Sequence, residues 1–172
     1  MAIYALGGSK PVIARSAFVH PDATVIGAVT IGEGSTVWPQ AVLRGDYGKI
    51  VIGARTNIQD GAVIHCTTEF DTFIGDDCVI GHLAHLECCV VEDGALIGTG
   101  SIVLHRACVH SGALVGAAAL VPNGMEVPAG AIAVGVPARV REGAADTDDI
   151  ARNAAEYARN GERYVKELRR LD

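Results

Sequence analysis

His65 and Glu87 place an imidazole and a carboxylate where they could share one task, provided the fold sets them side by side. Those two ligand types form half of a site for Zn²⁺ or Fe²⁺. Arg44 lies upstream, and His85 precedes Glu87 by two residues, so a cation and a further ring nitrogen belong to the same neighbourhood. The five cysteines (66, 78, 88, 89 and 108) are the other metal-binding type, but none shows a CxxC spacing. They read as reduced, small, half-buried residues.

The element that positions these residues is a six-residue repeat. An aliphatic residue recurs at Ile13, Val19, Val25, Ile31, Val37 and Leu43, then at Ile52, Ile58 and Ile64, and then at Ile74, Ile80 and Leu86. A last run takes Val91, Ile97, Val103, Val109, Val115, Val121 and Val127. Six residues are three strand alternations, so every unit aims its aliphatic side chain the same way. Glycines near that residue let the backbone turn. Three units close one triangular coil, and roughly six stacked coils bury a column of aliphatic side chains. Handedness does not follow from this pattern. The general preference for crossovers is right-handed.

The repeat loses phase three times. The interval lengthens after Leu43 and after Ile64, and shortens after Leu86. Counted in units, these residues are one coil apart, so all three breaks fall at one corner, where loops on a rigid scaffold tend to carry function. The next residues, Arg44, His65 and Glu87, therefore share an outward slot and stack about 4.8 Å apart. His82 follows Ile80, which belongs to a different face. To meet His65 around one ion it must come from a second subunit, as threefold packing of prisms allows. His20, His105 and His110 have no such company and read as surface or interface residues.

Composition agrees with stacked short strands. Hydrophobic residues make up 49% of the 172, aromatics only 5%, and there are 21 glycines. The net charge of −6 and the absence of a basic face argue against nucleic acid. No leader-like or membrane-spanning apolar stretch is visible, so a cytoplasmic protein is expected. The repeat occupies residues 1–140. Residues 146–172 read as a helix capped by Asp146 or Thr147, with an apolar stripe of Ile150, Ala154, Tyr157, Tyr164, Leu168 and Leu171 that Asn160-Gly161 could kink. The fold class is all-β, a parallel β-helix with a C-terminal α-helix packed on it in a single domain.

Several motifs resemble the γ-class carbonic anhydrase family: Val37–Gly45 (VWPQAVLRG) running on to Asp46, Asn57-Ile58-Gln59-Asp60-Gly61 before His65, and Gly81-His82 before Leu86. The resemblance implies a left-handed β-helix and a homotrimer with metal sites at its interfaces. It implies His65 and Glu87 as ligands from one subunit and His82 from the next. Arg44 and Asp46 would order the site as an ion pair, Gln59 would hold the metal-bound water, and Asn57 and Asp60 would support the ligands. By unit count Asp60 stacks beneath His82 and could orient its ring.

Position 87 departs from the family, whose active members have histidine there. A carboxylate ligand keeps bound water protonated to higher pH. His85 is the alternative third ligand, with Glu87 then a base or a group that supports the ligands. The expected activity is zinc-hydroxide hydration of CO₂ to bicarbonate, weak or absent because of Glu87. The alternatives are a non-catalytic metal- or siderophore-binding scaffold and a CoA-dependent acyltransferase or thioesterase.

Overall fold

The columns implied by the six-residue period exist as hydrogen-bonded ladders. In the structure, a computed structural model that describes residues 2–172, Val25, Leu43, Ile64, Leu86, Val103 and Val121 are successive cross-strand partners. Ile13, Ile31, Ile52, Ile74, Val91, Val109 and Val127 form a second column. Val19, Val37, Ile58, Ile80, Ile97, Val115 and Ala133 form the third. The result is a left-handed parallel β-solenoid of about 7 turns. It runs one unit past Val127, to Ala133, and then closes with an antiparallel strand, Arg139–Arg141, on Ile132–Val134.

Many strands are only two residues long, such as Asn57–Ile58 and Val79–Ile80. Their stability lies in the shared core, where the three columns meet with almost no exposure. Each fully buried Leu or Ile contributes on the order of 1.5–3 kcal/mol.

The corners explain why the glycines do not keep one phase. The third residue after the aliphatic one has positive φ, at Gly34, Gly61, Gly94 and Gly100 but also at Arg55, Leu83, Arg106 and Ala118. Glycine adopts that conformation freely, whereas another residue costs roughly 1–2 kcal/mol. The glycine directly after the aliphatic residue has a different task. A Cβ on Gly53 would lie 2.5 Å from the carbonyl carbon of Gly75 in the next coil, so close stacking demands glycine there.

At the irregular corner, Thr24–Ile31 and Val42–Ile52 pass from one face to the next as continuous strands, with a register shift between Gly27 and Val29. Val63–His65 is followed by a loop before Thr72–Ile74, while Cys88 and Cys89 make the short turn after His85–Glu87. All five cysteines are free, and four of them are buried.

The C-terminal helix spans Thr147–Glu167. Asp146 caps it, accepting from the Asp149 backbone N–H at 2.9 Å, and Asp148 and Asp149 suit the positive end of the helix dipole. Ile150 and Ala154 pack on Val79, beside Leu96 and Leu114. Trp38 meets Tyr157 and Tyr164 edge-on, with ring centroids 5.4 and 4.9 Å apart. Two expectations need correction. The helix stops at Glu167, so Leu168 and Leu171 lie beyond it and are exposed. Gly161 does not break it; it is buried, because there the helix comes closest to Thr36 and Phe18. No helix among the described residues is long and apolar enough to cross a membrane.

Candidate functional site

Ladder register sets Arg44 beside His65 and His65 beside Glu87, the shared slot expected from the unit count. The side chains touch. His65 Nδ1 lies 2.8 Å from Glu87 Oε1, and His65 Nε2 lies 2.9 Å from Asp46 Oδ1. Asp46 also pairs with the Arg44 guanidinium. A neutral imidazole has one N–H and can donate to only one of these two carboxylates, whereas the imidazolium can donate to both.

Glu87 is the hub. Its Oε2 lies 3.3 Å from His105 Nε2 and 3.6 Å from His85 Nε2. Burial pushes the Glu87 carboxyl upward, but hydrogen bonds from His65 and His105 outweigh it and hold the group below the usual range. Asp46 behaves alike: burial raises it, while His65 and Arg44 lower it further. Both are therefore anionic at neutral pH.

His82 belongs to a separate cluster. Its Nδ1 lies 3.0 Å from Asp60 Oδ2, the orienting contact expected from stacking, and its Nε2 lies 3.5 Å from the Tyr157 hydroxyl. Burial, then Asp60 and Glu156, raise the Tyr157 phenol, which stays protonated. Gln59 is buried and holds the turn beneath: its Oε1 accepts from the His82 backbone N–H, and its Nε2 donates to Asn57 Oδ1 at 2.9 Å. Asn57 donates in turn to the Cys78 carbonyl. The structure thus joins Arg44, Asp46, His65, His85 and Glu87 in one cluster, and Asn57, Gln59, Asp60 and His82 in another.

Two histidines expected to stand alone do not. His105 reaches Glu87, and His110 lies between Glu92 and Glu126. Unit counting contained the signal for His110, since Val109 stacks on Val91 and sets it over Glu92, whereas His105 lies one residue past the slot that stacks on Glu87.

Residues 10–45 match the family described as bacterial transferase hexapeptide (six repeats). The carnitine operon protein CaiE of Salmonella agona is 39% identical over 140 residues, covering 81% of this chain and 71% of that protein. The chain belongs to the hexapeptide-repeat transferase family. CaiE of Escherichia coli O157:H7 is 45% identical over 104 residues, 60% of this chain, and the matched part spans only about half (53%) of that relative. Among solved structures, a Bacillus cereus protein assigned as an acetyltransferase has a TM-score of 0.92 and 38% identity, covering 95% of this chain and 96% of that one.

These findings overturn the expected carbonic anhydrase activity. Curated relatives at 37–45% identity carry the CaiE name, and the solved relative is described as an acetyltransferase. The γ-class likeness is supported as far as the hexapeptide-repeat fold. The physical reason agrees with Glu87, whose negative charge works against forming a metal-bound hydroxide at neutral pH.

Proposed function

We propose that the chain transfers an acyl group from a thioester donor, with Glu87 and His105 as its acid–base pair. The observation that carries this reading is the 3.3 Å contact between Glu87 Oε2 and His105 Nε2. With Nε2 on Glu87, Nδ1, which has no protein partner among the described residues, is left to accept a proton. His105 takes a proton from the acceptor hydroxyl or amine, whose lone pair forms the new bond to the thioester carbonyl carbon. The C–S bond breaks, and the proton passes from His105 to the departing sulfur. Glu87 stabilises the transient imidazolium. A homotrimer would supply the facing wall of the donor groove, and exposed Val63, Leu83 and Val90 offer apolar area for such packing. The test measures thiol release from acetyl-CoA with hydroxyl and amine acceptors and with water. Glu87→Gln and His105→Asn should each slow it about 10²–10⁴-fold. No release above buffer, or full activity in His105→Asn, refutes the reading.

His65 favours a second reading. With carboxylates at both ring nitrogens it is poorly placed as a base, but it suits a Zn²⁺ or Fe²⁺ ion shared across a trimer interface. His65 and Glu87 of one subunit and His82 of its neighbour would hold the ion, with His85 as the alternative ligand. Asp60 then fixes the His82 ring through Nδ1, as metal-bound histidines commonly require. Metal that copurifies with an intact trimer and is lost in His82→Ala, without thioester turnover, would support a binding role. Metal-free active protein excludes it.

A further inference from the structure

We propose a second metal site, lying within one subunit and away from the cluster at Glu87: Glu92, Cys108 and His110 bind a thiophilic divalent cation of the zinc type. Cys108 and His110 flank the buried Val109, so both point outward from the same strand. Glu92 follows Val91 one coil earlier, and Glu126 precedes Val127 one coil later. Two strand alternations and two coil spacings thus bring four donor side chains to one patch.

The donor atoms have the right separations. One ligand atom from each of Glu92, Cys108 and His110 lies within 4.8 Å of the other two, the one such trio among the described residues. Cys108 Sγ is 3.7 Å from His110 Nδ1, and that nitrogen is 3.1 Å from Glu92 Oε1. A tetrahedral zinc site has S–N and N–O edges of about 3.5 and 3.3 Å. The remaining atoms are already held. His110 Nε2 lies 2.6 Å from Glu126 Oε2, the carboxylate partner that fixes the ring of a metal-bound histidine. Glu92 Oε2 accepts from the Ser111 backbone N–H and from its hydroxyl, at 3.0 and 3.1 Å. Three protein ligands leave a fourth position open to water or a small anion.

Without metal the Cys108 thiol keeps its proton, because burial and then the Glu126 and Glu92 carboxylates push it up to about 11. Binding must therefore displace that proton to solvent and leave a thiolate on the ion. Cys108 is the only cysteine of the five that is not buried, which makes its thiolate a clean reporter.

Cobalt(II) is the probe. Titrated into the 172-residue protein, it should give a near-ultraviolet thiolate-to-cobalt band at one equivalent per chain. Cys108→Ser should abolish the band, and His65→Ala should leave it unchanged, separating this site from the cluster at Glu87. Glu126→Gln should weaken binding about tenfold. Zinc should displace cobalt and slow alkylation of Cys108 by iodoacetamide. Absence of the band in the wild-type protein, or a band that survives Cys108→Ser in a folded variant, overturns the proposal.

Discussion

Replacing Gly161 with alanine tests how closely the helix is seated on the solenoid. In an ordinary mid-helix position that change stabilises by about 1 kcal/mol. Here the new Cβ would lie 2.5 Å from Thr36 Cγ2 and 3.5 Å from Phe18 Cβ. Thr36 cannot rotate away cheaply, since it is buried and its hydroxyl accepts from Trp38 Nε1 at 2.9 Å. Overpacking of this kind costs about 1–3 kcal/mol. Set against the helix gain, a net loss of up to about 2 kcal/mol is expected, or up to roughly 4–8 °C in melting temperature for a chain of this size. Trp38 is the only tryptophan and sits against Tyr157 and Tyr164, so its fluorescence follows the undocking directly. Adding Thr36→Ser removes the offending methyl but keeps the hydroxyl, and should recover most of the loss. A Gly161→Ala protein that is more stable than the wild type, or a double variant no better than the single one, would refute the close approach.

Three further outcomes follow from the same structure. Leu86→Ala, in the middle of a fully buried column, should cost about 2–5 kcal/mol in urea unfolding, and a loss under about 1 kcal/mol would mean the coils close over the gap. Asp146→Ala removes the helix cap and should cost about 1 kcal/mol; unchanged stability would show the helix start is held by other contacts. Burial pushes the Cys78 and Cys89 thiols up to about 12, so in metal-free protein at pH 8 they should resist Ellman's reagent until urea exposes them. Rapid reaction of either in the native state would contradict the packing.

The solenoid was legible because its period is at once a property of the sequence and the geometry of its core. The aliphatic residue that sets the phase is also the one that stacks, so counting units puts Leu43, Ile64 and Leu86 in one ladder, and Arg44, His65 and Glu87 beside it. The same count, applied to the column through Val91 and Val109, puts His110 over Glu92. Following the loops alone overlooks that patch, because no irregularity marks it. His105 escapes for another reason: it lies one residue past the slot, on a turn, and bends back to the coil below. The end of the helix is not legible because Leu168 and Leu171 continue the apolar spacing after the chain has left the surface. The reaction itself was the least legible element, since one scaffold and similar polar residues serve several chemistries.

The return of the chain at its C-terminal end has a consequence for assembly. A stack of parallel coils is a template whose last rung offers unpaired amides to any similar strand. Here Gly135 accepts from Leu120 at 3.0 Å, Ala138 donates back to Leu120 at 2.7 Å, and Arg139–Arg141 runs antiparallel along Ile132–Val134. Those contacts occupy part of the terminal rung with backbone of the opposite sense and with two arginines. Such a cap opposes the addition of a further parallel strand at this end, the route by which open sheet edges associate.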